Sequence, residues 1–378
     1  MNNTEIRQYS RKLFKNADCV VLKIGSALLV DTKTNSLRLK WLKSVAADVS
    51  RLKQNGKRVV IVSSGSIALG RNLLKLEDNV LSLEQSQAAA AVGQIFLAQS
   101  YQKCLEIHSI KAGQILVTSE DSQDRRRYLN SRATLLKLLD MGVVPIVNEN
   151  DTVATDEIKF GDNDRLAAQV ASLCDANILI LLSDVDGLYT TDPNISTSAT
   201  LVPIVHKITD AIEAMAKGKL NSLSKGGMRT KIEAAKLAVS AGCNLVITNG
   251  KQLSPLTALL NGCSSTWFPS REDPIAARKQ WISSTKAKGE VFIDSGAEQA
   301  LLRGKSLLPA GVMGYKGSFS RGDTVIILSA TGSVLGRGLV GYNDREVDLI
   351  KGNHSRNIKK ILGHPGRTVL IHRNDMSL

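Results

Sequence analysis

Six short apolar runs recur along the first two thirds of the chain, and long stretches of helical spacing separate them. The runs are "CVVLKIG" (19–25), "RVVIVSSG" (58–65), "GQILVT" (113–118), "VVPIVNEN" (143–150), "NILILLSDVDG" (177–187) and "CNLVITNG" (243–250). They are rich in Val, Ile and Leu and nearly continuously apolar, so both faces of each strand are expected to be buried. Helical patterns lie at about 37–55, 84–108, 127–141, 163–174, 207–217 and 228–241. This alternation predicts an α/β sandwich around a mainly parallel sheet. Several runs end in Gly, Ser, Asn or Asp, and ligands in such folds gather at the carboxyl ends of strands.

The pattern changes after residue 265. "TWFPSREDPIAARKQWISSTKA" (266–287) reads as a linker with a connecting helix. From Gly289 the chain shows short strands, frequent glycines and turns such as Arg321-Gly322-Asp323, the texture of a small β-rich domain. The expected division is therefore 1–265, a linker at 266–288, and 289–378. No low-complexity segment or solenoid repeat interrupts it.

Composition narrows the functional classes. At 378 residues and 43% hydrophobic, the chain is long enough for a full core and suggests two domains. No apolar run reaches the roughly 20 residues that span a bilayer. The start reads as a short basic lead-in without the apolar core of a signal peptide, so the expected compartment is the cytoplasm. The five cysteines form no CxxC pair and read as buried thiols, and the five histidines show no metal-ligand spacing. The net charge is +14. Residues 286–378 carry 14 Lys and Arg against 8 Asp and Glu. Such an excess suits anionic substrates, nucleic acid or a membrane surface, or serves solubility alone.

Four constellations carry chemistry, and a fifth segment adds to them. In "VVLKIGS", Lys23 stands at a strand end before Gly25 and Ser26, where a cation and backbone N–H groups can meet an anion; the plainer reading is an exposed lysine before a turn. In "VSSGSIALG", Ser63-Ser64-Gly65-Ser66 makes a tight turn at a helix start, a seat for a carboxylate or phosphate or simply a helix cap. Third, "NENDTVATDEIKFGDNDRLAAQVA" (148–171) concentrates acids and amides in a basic chain. Asn148, Glu149, Asn150 and Asp151 suit an ammonium group, a hydroxyl or Mg²⁺ better than a phosphate. Asp162, Asn163 and Asp164 precede a helix, and a helix cap needs only one of them. Last, Lys225-Gly226-Gly227 leads into a helix opened by Met228, Arg229, Thr230 and Lys231. Lysine in a first helical turn opposes the helix dipole unless an anion lies near. "LLSDVDGLYTTDP" adds Ser183, Asp184 and Asp186 in a turn that could accept a nucleobase, ribose or Mg²⁺. Two Gly/Lys elements, a Ser/Gly turn and an acid–amide element at strand ends suggest phosphoryl transfer from a nucleotide, which needs positioning and charge more than covalent chemistry.

These segments resemble the signatures of the amino acid kinase family, and within it the glutamate 5-kinases, collinearly over residues 19–265. The tail, at about 289–370, resembles the PUA domain that follows the kinase domain in many bacterial members. The resemblance implies a three-layer α/β/α sandwich and transfer of phosphate from ATP, with Mg²⁺, to the side-chain carboxylate of L-glutamate, giving L-glutamyl 5-phosphate for proline synthesis. It gives Lys23 and Lys231 the transferring phosphoryl group, and Asp164 the orientation of both lysines. Ser64, Asn148, Asp151 and Asn163 would hold glutamate, with Asp151 against its ammonium. Ser183, Asp184 and the segment Lys225, Gly226, Gly227, Met228, Arg229, Thr230 and Lys231 would contact the nucleotide, as would Lys23. The family also implies a dimer or tetramer and inhibition by proline. Two departures stand out: Lys225 occupies a place where a small hydroxyl residue is expected, and Arg125-Arg126-Arg127 is a dense cluster, either a solvated helix start or a steering or subunit contact. The segment "TVATDEIKF" (152–160) is the expected lid. Alternatives are a related kinase with another acceptor and RNA binding by the basic tail, although Phe292, Tyr315, Phe319 and Tyr342 are dispersed there.

Overall fold

The computed structural model describes residues 3–31, 34, 36–76, 80–118, 124–153, 163–216 and 227–378. The chain divides into two units by internal contacts: 1–122 with 131–274, and 123–130 with 275–378.

The first unit is built on a seven-stranded sheet in the order β3-β4-β2-β1-β5-β6-β7. Its strands are β1 (Cys19–Ile24), β2 (Arg58–Ser63), β3 (Ala112–Val117), β4 (Val144–Glu149), β5 (Ile178–Ser183), β6 (Asn244–Asn249) and β7 (Ser265–Phe268). All pair in parallel except β7, which runs antiparallel to β6. Every residue of β1 and β5 is buried, as their continuous apolar sequence requires. Each apolar run contains a parallel strand, while β7 was passed over: four residues in Pro- and Ser-rich surroundings carry too little pattern. The basic lead-in is a helix, Asn3–Asn16. It buries Ile6 and Phe14, and its Tyr9 meets Trp267 edge to face at 5.8 Å.

Two helices on this sheet touch backbone to backbone. A methyl group on Gly70, in helix Ser66–Leu73, would overlap the Ala89 carbonyl oxygen in helix Leu83–Glu106. One on Gly93 would overlap the Ser66 carbonyl oxygen. Only glycine permits this approach, which fixes Ser66 and Gln94 relative to the strand ends.

The second unit carries a five-stranded sheet in the order β12-β11-β10-β8-β9. The strands are β8 (Gly289–Ile293), β9 (Val312–Gly317), β10 (Thr324–Leu328), β11 (Val334–Leu339) and β12 (Met376–Ser377). β8 and β10 are parallel and the other pairs antiparallel. Val291, Ile293, Val325, Ile327, Val347 and Ile371 anchor its own buried core. Among the described residues of either unit, no helix is long and apolar enough to cross a membrane.

Gly93→Ala should force the two helices apart. The expected loss is about 1–3 kcal/mol, the scale of overpacking a tight contact, read from urea unfolding.

Candidate active site

The carboxyl ends of the central strands carry the polar groups. Lys23 sits in β1 between Val62 of β2 and Leu181 of β5. Its ammonium leaves the apolar sheet and lies 2.6 Å from Asp164 Oδ1. Asp164 opens helix Asn163–Leu173, where the N–H groups and helix dipole favour a carboxylate. Lys231, from helix Met228–Ser240, reaches Asp164 Oδ2 at 3.0 Å. The Thr230 hydroxyl also lies 3.0 Å from Oδ2. Lys23 is 8%, Lys231 7% and Asp164 1% exposed, so three charged groups meet almost out of water.

Burial lowers Lys23 below the usual lysine value; Asp164 pulls it back up, and Lys231 pushes it down again. Burial works to raise Asp164, but the two ammoniums outweigh it and hold this carboxyl below the usual range. One carboxylate faces two ammoniums, so these three groups together carry +1. Lys23 meets Oδ1 as an ion pair, without the alignment of a hydrogen bond.

A second polar cluster adjoins Asn163, the first residue of the same helix. Its amide donates to Ser64 Oγ at 2.6 Å, to Asn148 Oδ1 at 3.2 Å and to the Ser63 carbonyl at 3.3 Å. Asn148, at the end of β4, donates to Gln94 Oε1 at 2.8 Å. Asp151 accepts from Ser66 Oγ at 3.1 Å. Burial raises the Asp151 pKa, and the Ser66 hydroxyl offsets part of that rise. All four residues expected to hold an acceptor therefore come together. They form a hydrogen-bonded cluster of hydroxyl and amide groups with one half-buried carboxylate.

Comparisons with known proteins show the family to which the chain belongs. Residues 18–249 match the amino acid kinase family, and 289–362 match the PUA domain. The chain is 57% identical over 362 residues to the glutamate 5-kinase of Dinoroseobacter shibae, covering 96% of this chain and 98% of that protein. It is 57% identical over 363 residues to the glutamate 5-kinase of Roseobacter denitrificans, with 96% and 97% covered. Against the Agrobacterium fabrum glutamate 5-kinase it is 52% identical over 368 residues, with 97% and 94% covered. The chain belongs to the glutamate 5-kinase family. Its kinase signature falls on the parallel sheet and its PUA signature on the β-rich sheet.

Of the residues expected from the glutamate 5-kinase resemblance to meet the nucleotide, part are among the described residues. Ser183 is buried and donates to the exposed Asp184 at 3.2 Å. Asp184 lies near enough to raise Lys23. Asp186 accepts from Asn249 at 2.9 Å and from Tyr189 at 3.1 Å. Gly227 is exposed and Met228 half-buried before Thr230 and Lys231. Arg229 instead pairs with Glu233 along its own helix at 3.1 Å, with both side chains in solvent. Lys225, Gly226, Asp162 and most of the expected lid, 154–160, lie outside the described residues.

The sequence pattern did not single out Gln94. This residue is 9% exposed, accepts from Asn148 through Oε1, and keeps a buried Nε2 without a partner among the described residues. Its signal was available: Gln94 interrupts the buried face formed by Ala89, Ala90, Gly93 and Leu97. Ser66 stood out only as part of a turn, yet it bonds Asp151.

Asp164→Asn would leave the two ammoniums facing each other. The expected cost is about 3–5 kcal/mol at neutral pH, the scale for removing one partner from a buried ion pair. Lys23 would fall further below its unfolded value of about 10.4. A lysine lowered in the folded state destabilises the fold while it must stay charged, and that loss shrinks as pH rises toward the unfolded value. Urea unfolding at about pH 7 and about pH 9.5 checks this, with the deficit relative to the parent narrowing at the higher pH.

Proposed function

We infer that this chain transfers the γ-phosphoryl group of ATP to the side-chain carboxylate of L-glutamate, giving ADP and L-glutamyl 5-phosphate, the first step of proline biosynthesis. The observation that carries the reading is the buried Lys23–Asp164–Lys231 cluster beside the Ser64–Asn148–Asn163 pocket.

The acceptor explains what the site lacks. A glutamate side chain has a reference pKa of about 4.3 and is already ionised at neutral pH. No general base is needed. A carboxylate oxygen forms a bond to the γ-phosphorus as the bond to the β–γ bridging oxygen breaks, and that oxygen leaves on ADP. The obstacle is repulsion between carboxylate and triphosphate. Lys23 and Lys231 supply the opposing charge, and Asp164 fixes their ammoniums before substrate arrives. Such preorganisation costs no rearrangement at the moment of reaction.

The amide pocket holds the other end of the acceptor. Asp151 is its half-buried carboxylate and takes the α-ammonium, a partner that would reverse its burial-raised pKa. Ser64, Asn148 and Asn163 present hydroxyl and amide groups, with Gln94 Nε2 as a further donor. Ser183, Asp184 and the turn entering helix Met228–Ser240 take the nucleotide. Among the described residues no three Asp, Glu, His or Cys side chains converge on a metal position. Mg²⁺ would then be held chiefly by the ATP phosphates, with Asp184 the exposed carboxylate beside them. Bound there, it would offset phosphate charge.

Glutamate- and ATP-dependent acyl phosphate, trapped as a hydroxamate, tests the reading. Product from aspartate or acetylglutamate with none from glutamate would contradict it. Lys231→Met should cut kcat by roughly 10²–10³, the scale for losing one strong electrostatic donor. Asp151→Asn should raise the KM for glutamate about tenfold or more while leaving the KM for ATP nearly unchanged. Equal losses for both substrates would remove Asp151 from the ammonium.

A further inference from the structure

The kinase chemistry leaves one cluster of positive charge unused. Within the second unit, a cavity of about 1010 Å³ is lined by Arg126, Lys288, Arg321 and Arg367. Arg126 comes from the short segment 123–130 grouped with this unit. Lys288 precedes β8, Arg321 lies in the turn before β10, and Arg367 follows the last helix.

The acids on the same wall already have partners. Asp323 takes Lys288 at 3.1 Å and the Ser320 N–H at 2.8 Å. Glu346 accepts the Asn343 N–H at 3.0 Å as part of a capping box, and faces His364 at 3.7 Å. Asp124 accepts the Arg127 N–H at 2.8 Å.

The arginines have no such compensation. Arg367 donates to the Leu129 carbonyl at 3.3 Å, a neutral acceptor. The side chains of Arg126 and Arg321 make no ion pair or hydrogen bond among the described residues, and Arg321 Nε is buried without a partner. Burial, then the guanidiniums of Arg367 and Arg126, lower Arg321 below the usual arginine value, and Glu346 offsets only part of that. Three like charges on one concave wall repel until an anion joins them. Planar guanidiniums match phosphate oxygens two at a time. The cavity is the size of pockets that enclose small molecules.

The lining disfavours a nucleic-acid strand. Two rings line this wall among the described residues, Tyr342 and His364, and Tyr342 is only 3% exposed. Its hydroxyl is spent on the Arg367 carbonyl. The exposed His364 imidazole is then the one open ring among the described lining residues, short of the successive aromatic platforms that hold a single strand.

We propose that this cleft is a second anion site, and that it takes a small molecule bearing a diphosphate or triphosphate group. The site belongs to the second unit and is independent of the acceptor assigned to the kinase centre.

Titration calorimetry of the full chain with inorganic pyrophosphate tests it, using the parent, Arg321→Gln and Arg126→Gln. One binding component should weaken by about ten- to hundredfold in each variant, the scale of one charge-assisted contact. A site in the kinase centre would be untouched by either substitution, so unchanged affinity overturns the proposal. Absence of saturable pyrophosphate binding overturns it too, as does a single-stranded oligoribonucleotide that binds through these arginines without competition from pyrophosphate. Should Arg321→Gln fail to fold by circular dichroism, Arg126→Gln, at an exposed side chain, carries the test.

Discussion

One carboxylate shared by two buried ammonium groups is the constraint on which the first unit depends. Asp164 lies within 3.0 Å of both Lys23 and Lys231 and is 1% exposed. Desolvating three charges costs several kcal/mol each, and the mutual attraction of an unequal trio cannot return all of it. The cluster persists because three rigid elements hold its members: a central strand, the first turn of one helix and the first turn of another. Two ammoniums beside one carboxylate are suited to receive an anion. In the proposed reaction the triphosphate is that anion, so the groups that strain the empty fold are the ones that stabilise its complex with substrate.

The sheet supplies the precision such a site needs. β4, β2, β1, β5 and β6 are adjacent and parallel, so their carboxyl ends point the same way. Asn148, Ser64, Lys23, Ser183 and Asn249 are delivered along one edge by neighbouring strands and the turns that follow them. Gly70 and Gly93 add the lateral restraint by letting two helices meet at backbone distance. Without that contact, Ser66 and Gln94 could not reach Asp151 and Asn148 together. The second unit follows another logic, with short strands of mixed direction around a separate core.

The sequence made this fold legible where burial is two-sided. Each of the six apolar runs contains a parallel strand, because continuous Val, Ile and Leu has few other uses in a chain of this kind. It failed at the margins, for physical reasons. β7 is four residues long, and its apolar Trp267 and Phe268 look like a break when a proline follows them. The helix Asn3–Asn16 is mostly polar, and only Ile6, Ser10 and Phe14 are buried, so charge masks its period. Within the site, residues at strand ends and first helical turns stood out because chemistry-bearing side chains there have a restricted set of purposes. Gln94 did not, since one amide in an alanine-rich helix is ordinary until its neighbours are known.

The acid-rich stretch between Asn148 and Asp164 shows why a protein of net charge +14 would gather carboxylates in one place. Phosphoryl transfer to a carboxylate needs cations close together, and cations close together need a counter-charge that does not itself compete for the phosphate. Asp164 satisfies both conditions, because its oxygens face lysines and it sits at a helix start that stabilises its charge. Asp151 is a different case. It is half-buried, accepts from a serine hydroxyl, and has a raised pKa. In the proposed reaction, the α-ammonium of the acceptor is the cation that would meet it. In that reaction, two acids thirteen positions apart would divide the work by environment: one paired with lysines within the fold, the other meeting the substrate's ammonium.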